Sequence, residues 1–86
     1  MAEYRFEIWS ILPGENPMED SDWDGQEPFK MGELTHDYNI SIYTIMASSD
    51  KSATLFGRGM AFSDGWCNTD TASRLFYLDK GKWVRV

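Results

Sequence analysis

Three aspartates at alternate positions are the first residues whose types and spacing could do chemistry. Residues 19–25 read EDSDWDG, and the last six of them fit the pattern D-x-D-x-D-G that opens a calcium-binding loop. Asp20, Asp22 and Asp24 could converge on one hard cation if Gly25 turned the chain sharply. This stretch therefore raises the hypothesis of a metal site.

The second half of such a calcium loop is missing. Met31 stands where the loop needs a bidentate glutamate, and Pro28 occupies its ninth position. Pro13 and Pro17 would also interrupt the helix that should precede the loop. We therefore predict no metal and no cofactor, and we keep as an alternative a looser calcium site built on the three aspartates.

Recognition of another protein accounts better for the same stretch. Trp23 lies between two carboxylates, where no core-forming period explains it. Such a ring can enter a pocket while the acids around it meet Arg or Lys. The alternatives are a ring that folds back and fixes the loop, and a loop that is merely solvated. The residues predicted to bind a partner are Glu19, Asp20, Asp22, Trp23, Asp24 and Glu27.

Residues suited to catalysis are scarce in this chain. His36 is the only histidine and Cys67 the only cysteine, so a Cys–His pair would depend on tertiary approach. The sequence has no zinc-ligand spacing, phosphate loop or nucleophile elbow. We predict that the protein is not an enzyme, that Cys67 is a small buried residue and that His36 lies at a strand edge.

The acidity belongs to one part of the chain. Residues 1–37 contain ten carboxylates against two bases, whereas residues 38–86 contain four acids and six bases, which gives the net charge of −6. This balance predicts a basic protein surface as the partner and argues against direct binding of nucleic acid, where phosphate contacts dominate affinity. An oligomeric state does not follow from it.

A small single-strand-binding fold is a further alternative. Bases and aromatic residues alternate along strands predicted in the second half, an arrangement that suits base stacking. The bases are Arg58, Arg74, Lys80, Lys82 and Arg85, and the aromatic residues are Phe56, Phe62, Tyr77 and Trp83.

Size and composition indicate one compact domain over residues 1–86. A hydrophobic content of 42% with four tryptophans is enough for a core. The lone cysteine favours a reducing cytoplasm, since small secreted domains usually need several disulfides. We expect neither a signal peptide nor a membrane span.

Alternation of apolar residues predicts strands in most of the chain. Residues 3–12 form a half-buried strand, residues 13–28 a long acidic loop, and residues 29–31 a short edge strand. Residues 38–46 and 53–63 are expected to pair as a hairpin around residues 48–51. Gly57 and Gly59 would mark a bulge in the returning strand.

The C-terminal residues 74–86 predict a closing hairpin that turns at Lys80-Gly81. The alternative is a short helix near residues 70–79, capped by Asp70. The fold class is therefore all-β: a small curled antiparallel sheet or barrel of about five strands, with the long acidic loop after the first. An α+β fold with that helix is the alternative.

In composition the chain is similar to small acidic inhibitors encoded by phages, including anti-restriction and anti-CRISPR proteins. It is short, lacks motifs and is strongly charged in one part. The resemblance implies a non-catalytic module that occupies the basic, nucleic-acid-binding groove of a host enzyme or complex. Spaced carboxylates can replace phosphates against Lys and Arg.

Overall fold

An open antiparallel sheet with one helix forms the part of the chain that the computed structural model describes, residues 1–10, 28, 40–66 and 71–86. Strand residues make up 56% of it, which confirms the predicted all-β class, although the sheet does not close into a barrel. The strands lie in the order β2-β1-β3-β4. The elements are β1 (Ala2–Ser10), β2 (Ile40–Ala47), α1 (Asp50–Ser63), β3 (Thr71–Asp79) and β4 (Lys82–Arg85).

Strand β1 lies at the centre of the sheet and carries the predicted alternation. Its residues Tyr4, Phe6 and Ile8 are buried in the main core, together with Ile45 of β2 and Leu75 of β3. Every neighbouring strand pair is antiparallel. Because successive side chains of a strand point to opposite faces, the odd-numbered residues of β1 lie on the other side of the sheet.

Helix α1 replaces the second strand of the predicted central hairpin, so that prediction was wrong. Ser49, expected in a turn, is the N-cap: its hydroxyl accepts a hydrogen bond from the Ser52 amide at 3.1 Å. The residues that α1 buries are small and spaced four apart, Ala53, Gly57 and Ala61. This spacing places them on one side of a helix, and the predicted bulge at Gly57 does not exist.

Small residues let α1 lie close to the sheet. A Cβ atom on Gly57 would come within 2.7 Å of Cδ1 of Phe6, so a side chain there would displace the ring. Dispersion contacts and apolar burial both increase when the helix lies this close to the sheet. A short helix can therefore stabilise the core.

The helix ends in a Schellman motif at Asp64-Gly65. Gly65 has a φ of 96°, and its amide donates to the Phe62 carbonyl. The Trp66 amide donates to the Ala61 carbonyl, and the Trp66 ring packs against the core. These bonds therefore end the helix after Ser63.

The closing hairpin is confirmed, and the helix considered for residues 70–79 is absent from 71–79. Asp79 pairs with Lys82, which leaves a two-residue loop. Lys80 and Gly81 have φ values of 51° and 81°, as in the type I′ turn that matches the twist of antiparallel strands.

Candidate functional site

One end of the sheet is the place where the acidic part of the chain joins the fold. Trp9 pairs with Ile40, and Ser10 pairs with Thr71. Residues 11–39, which we call the acidic segment, thus begin and end at neighbouring strands, whose opposed Cα atoms lie about 5 Å apart. This segment contains eight carboxylates and one base, Lys30.

The residues predicted to bind a partner belong to the acidic segment and lie outside the described residues. The edge strand expected at residues 29–31, His36 and Cys67 also lie outside the described residues. The partner-binding set of Glu19, Asp20, Asp22, Trp23, Asp24 and Glu27, with its calcium alternative, therefore stays a prediction.

The described residues carry the opposite charge to the acidic segment. They contain five acids and seven bases, a balance of +2, whereas the acidic segment has a balance of −7. The acids are Glu3, Glu7, Asp50, Asp64 and Asp79, and the bases are Arg5, Lys51, Arg58, Arg74, Lys80, Lys82 and Arg85.

Glu7 is fully buried on the sheet face opposite α1, although a half-buried strand was predicted for residues 3–12. Its Oε1 lies 2.5 Å from Nε of Arg74, and its Oε2 lies 2.8 Å from Nε of Arg5. The Arg74 guanidinium also stacks on the rings of Trp9 and Phe76, at 5.5 and 5.2 Å from their centroids. Both oxygens of Glu7 are engaged by cations, so this carboxylate serves the fold.

The bases and aromatic residues considered for single-strand binding lie on different elements. Arg74 is buried against Glu7, and Arg58 lies on α1 with Phe56 and Phe62. Arg85 lies 6.0 Å from the Phe76 ring centroid, and burial lowers the pKa of its guanidinium without removing the charge at neutral pH. The single-strand alternative stays a prediction.

An apolar surface on α1 is the feature that sequence analysis missed. Leu55, Phe56, Met60 and Phe62 are exposed, with exposed fractions of 59, 54, 41 and 53%. The capping signals at Ser49 and Asp64-Gly65 could have revealed the helix, and therefore these exposed residues.

Two tyrosines hold the ends of α1 against the sheet. The Tyr4 hydroxyl donates to Asp50 at 2.8 Å, and the Tyr43 hydroxyl donates to Asp64 at 2.6 Å. The hydrogen bond to Asp50 raises the pKa of Tyr4, and burial, followed by the bond to Asp64, raises the pKa of Tyr43. The helix is thus held in one orientation.

The described part of the chain lacks two kinds of feature. It holds no group of three His, Cys, Asp or Glu side chains placed to bind a metal ion. Within those same ranges, no helix has the length and apolarity required to cross a bilayer. These findings concern the sheet and α1 alone.

Comparisons with known proteins give no relative from which to transfer a function. No protein family, curated protein sequence or solved structure matches the chain.

Proposed function

We propose that this protein is a non-catalytic binding module, an inhibitor whose acidic segment occupies a basic surface of a host protein. The observation that carries the proposal is the separation of charge: a balance of −7 in residues 11–39 against +2 in the residues of the sheet and helix. The partner is a nucleic-acid-processing enzyme or complex of the cytoplasm, because such proteins expose Lys and Arg to phosphates.

The way the segment joins the sheet supports this role. Both of its ends are fixed at paired positions, Trp9 opposite Ile40, on a sheet that packs against α1. A segment whose ends are held loses less conformational entropy on binding than a free tail of equal length. The sheet and helix act here as a support for the acids.

Charge complementarity explains how such a segment would act. Carboxylates spaced along a chain can take the place of phosphates against Lys and Arg, and a strongly charged surface speeds association with an oppositely charged one. Trp23 would supply the short-range part of the affinity, since buried tryptophans often dominate binding energies.

Capture of the partner from a host lysate, followed by measurement of association and dissociation rates, tests the proposal. Replacing Asp20, Asp22 and Asp24 by Asn is expected to slow association and to reduce its dependence on salt. Trp23→Ala is expected to speed dissociation, with roughly thirtyfold weaker affinity.

The matched control is Asp79→Asn, which removes an exposed carboxylate from the end of β3. It is expected to leave both rates unchanged. If the triple variant and Trp23→Ala bind the captured partner as tightly as the unmodified protein, the acidic segment is not the binding site. Displacement of the protein by the partner's own nucleic acid would support the inhibitor role, and simultaneous binding of both would exclude it.

A further inference from the structure

We propose that residues 28–39 pack over the face of the sheet opposite α1 and bury the aromatic and arginine side chains there. We call this face, which carries Glu7 and Trp9 of β1, the second face of the sheet. The proposal rests on the burial of sheet residues and not on the function proposed above. It assigns one part of the acidic segment to the fold and leaves the other part for a partner.

The side chains of the second face are buried more completely than one open sheet layer allows. Trp9 and Phe76 are 0% exposed, and the Arg74 guanidinium stacks on both rings. Side chains of a strand stand roughly perpendicular to the sheet, so the charged end of an arginine normally reaches water. Arg74 is nevertheless only 4% exposed. Another part of the chain must therefore lie over this end of the face.

Helix α1 does not provide this cover. Among the described elements, α1 alone packs against a face of the sheet, and it lies on the face of Phe6, where Gly57 approaches the ring. Trp9 belongs to a separate apolar cluster with Ile40 and Ala72, which come from the strands on either side of it. The cover over the second face therefore comes from the chain outside the described residues.

Burial of the second face is greatest at the end of the sheet where the acidic segment joins it. Trp9 is fully buried, whereas Met46, which pairs with Glu3 toward the other end of β1, is 53% exposed. The acidic segment follows Ser10 and ends before Ile40, which pairs with Trp9. The buried end of the face thus lies next to both ends of this segment.

Composition selects the part of the acidic segment that can provide the cover. Residues 11–27 contain six carboxylates and no base, so burying them against the sheet would be costly. Residues 67–70 are four residues with one apolar side chain. Residues 28–39 contain only two carboxylates, one lysine and four large apolar side chains, and Pro28 at their start is half-buried. The four apolar residues are Phe29, Met31, Leu34 and Tyr38.

Chain length and charge agree with this choice. Residues 28–39 extend to at most about 40 Å, and the distance along β1 from Trp9 to the residue that pairs with Phe76 is about 13 Å. These residues can therefore span the buried end of the face. Their charge balance of −1 is opposite to the +1 of the second face, which carries Arg5, Arg74 and Arg85 against Glu3 and Glu7.

Trypsin digestion of the full chain tests the proposal, because Lys30 is the only trypsin site between Arg5 and Lys51. The bond after Lys30 is expected to be cut at least about a hundredfold more slowly than in a synthetic peptide of residues 24–37, since a packed segment must open before a protease can bind it. Gly25→Lys adds a matched site, which is expected to be cut at about the rate of a peptide with the same change. Cleavage after Lys30 as fast as in the peptide would overturn the proposal.

Nuclear Overhauser contacts in the unmodified protein identify what lies over the second face. We expect contacts from the Trp9 indole and the Phe76 ring to apolar side chains of residues 28–39. Rings that show contacts to other parts of the chain but none to residues 28–39 would overturn the proposal, even if the bond after Lys30 is protected from trypsin.

Leu34→Ser and Met18→Ser are a matched pair of variants, because each removes a large apolar side chain from the acidic segment. Leu34→Ser is expected to speed cleavage after Lys30 at least about tenfold, since lost burial makes opening easier, whereas Met18→Ser is expected to leave the rate unchanged. Circular dichroism establishes that each variant keeps the sheet. Equal rates in the two variants would overturn the proposal. None of these measurements uses a host protein, so their outcome is separate from that of the proposed function.

Discussion

The carboxylates of this protein occupy two contrasting settings. Glu7 is fully buried in the sheet and held by Arg5 and Arg74, whereas eight carboxylates are concentrated in the acidic segment with one base. Burial makes a charge depend on its partners, while a run of like charges mainly repels itself and attracts oppositely charged surfaces. The same functional group thus supports the fold in one region and, in our proposal, recognition in the other.

Replacing Glu7 by Gln is expected to have the largest effect on stability. The substitution keeps the shape but removes the charge that Arg74 and Arg5 contact, and losing one partner of a buried pair costs about 3–5 kcal/mol. Urea denaturation measures the loss. Glu3→Gln, a partly exposed residue on the same face of β1, is the control and should change stability by less than about 0.5 kcal/mol. Equal losses of stability in Glu7→Gln and Glu3→Gln would contradict the view that Glu7 stabilises the fold through its buried ion pairs.

Gly57→Ala tests how much stability depends on the close packing of α1 against the sheet, for comparison with the buried ion pair of Glu7. The added methyl group would meet the Phe6 ring, and overpacking costs about 1–3 kcal/mol, offset by up to about 1 kcal/mol from helix propensity. We expect a net destabilisation of about 1–2 kcal/mol in thermal unfolding. Gly59→Ala, whose added methyl group has no described atom within 4 Å, is the matched control and should stabilise. A stabilising Gly57→Ala would mean that α1 can move away from the sheet.

The tyrosines at the ends of α1 predict a loss of stability at alkaline pH. Their folded-state pKa values lie above the ordinary value of 10.0, so the folded state holds the phenolic protons more tightly than the unfolded state. Their contribution is complete below pH 10 and declines as pH rises above it. Chemical denaturation between pH 8 and pH 11 should show this decline, and replacing both Tyr4 and Tyr43 by Phe should make it shallower. An unchanged slope in the double variant would assign the decline to other groups.

Neutralising Asp20, Asp22 and Asp24 together should have the smallest effect on stability. Asn at these positions removes repulsion within the acidic segment, so the melting temperature should stay constant or rise slightly. Millimolar calcium should not change it, although a bound ion at a hundredfold excess over its dissociation constant would stabilise by about 2.7 kcal/mol. A rise with calcium that a chelator reverses, and that the triple variant loses, would establish the calcium alternative.

The strands were predictable from the sequence because their signals are local. Alternating apolar residues identify β1, and the Lys80-Gly81 turn identifies the closing hairpin. Helix α1 was missed because its buried residues are small and several of its large apolar residues stay exposed, unlike those of an ordinary amphipathic helix. The burial of Glu7 could not be predicted, since Arg74 follows it by 67 residues and only tertiary pairing brings them together.

The point where the acidic segment joins the sheet has a consequence for how the protein can change over evolutionary time. Closing a flexible loop costs only about 0.6 kcal/mol more for each doubling of its length, and here both ends are set by strand pairing, Trp9 with Ile40. Closure entropy therefore sets only a small limit on the length of residues 11–39, as long as Trp9 and Ile40 stay paired. In our proposal, a lineage of such proteins could acquire new partners through changes in this one segment, and a designer could graft a different binding peptide between the same two strands.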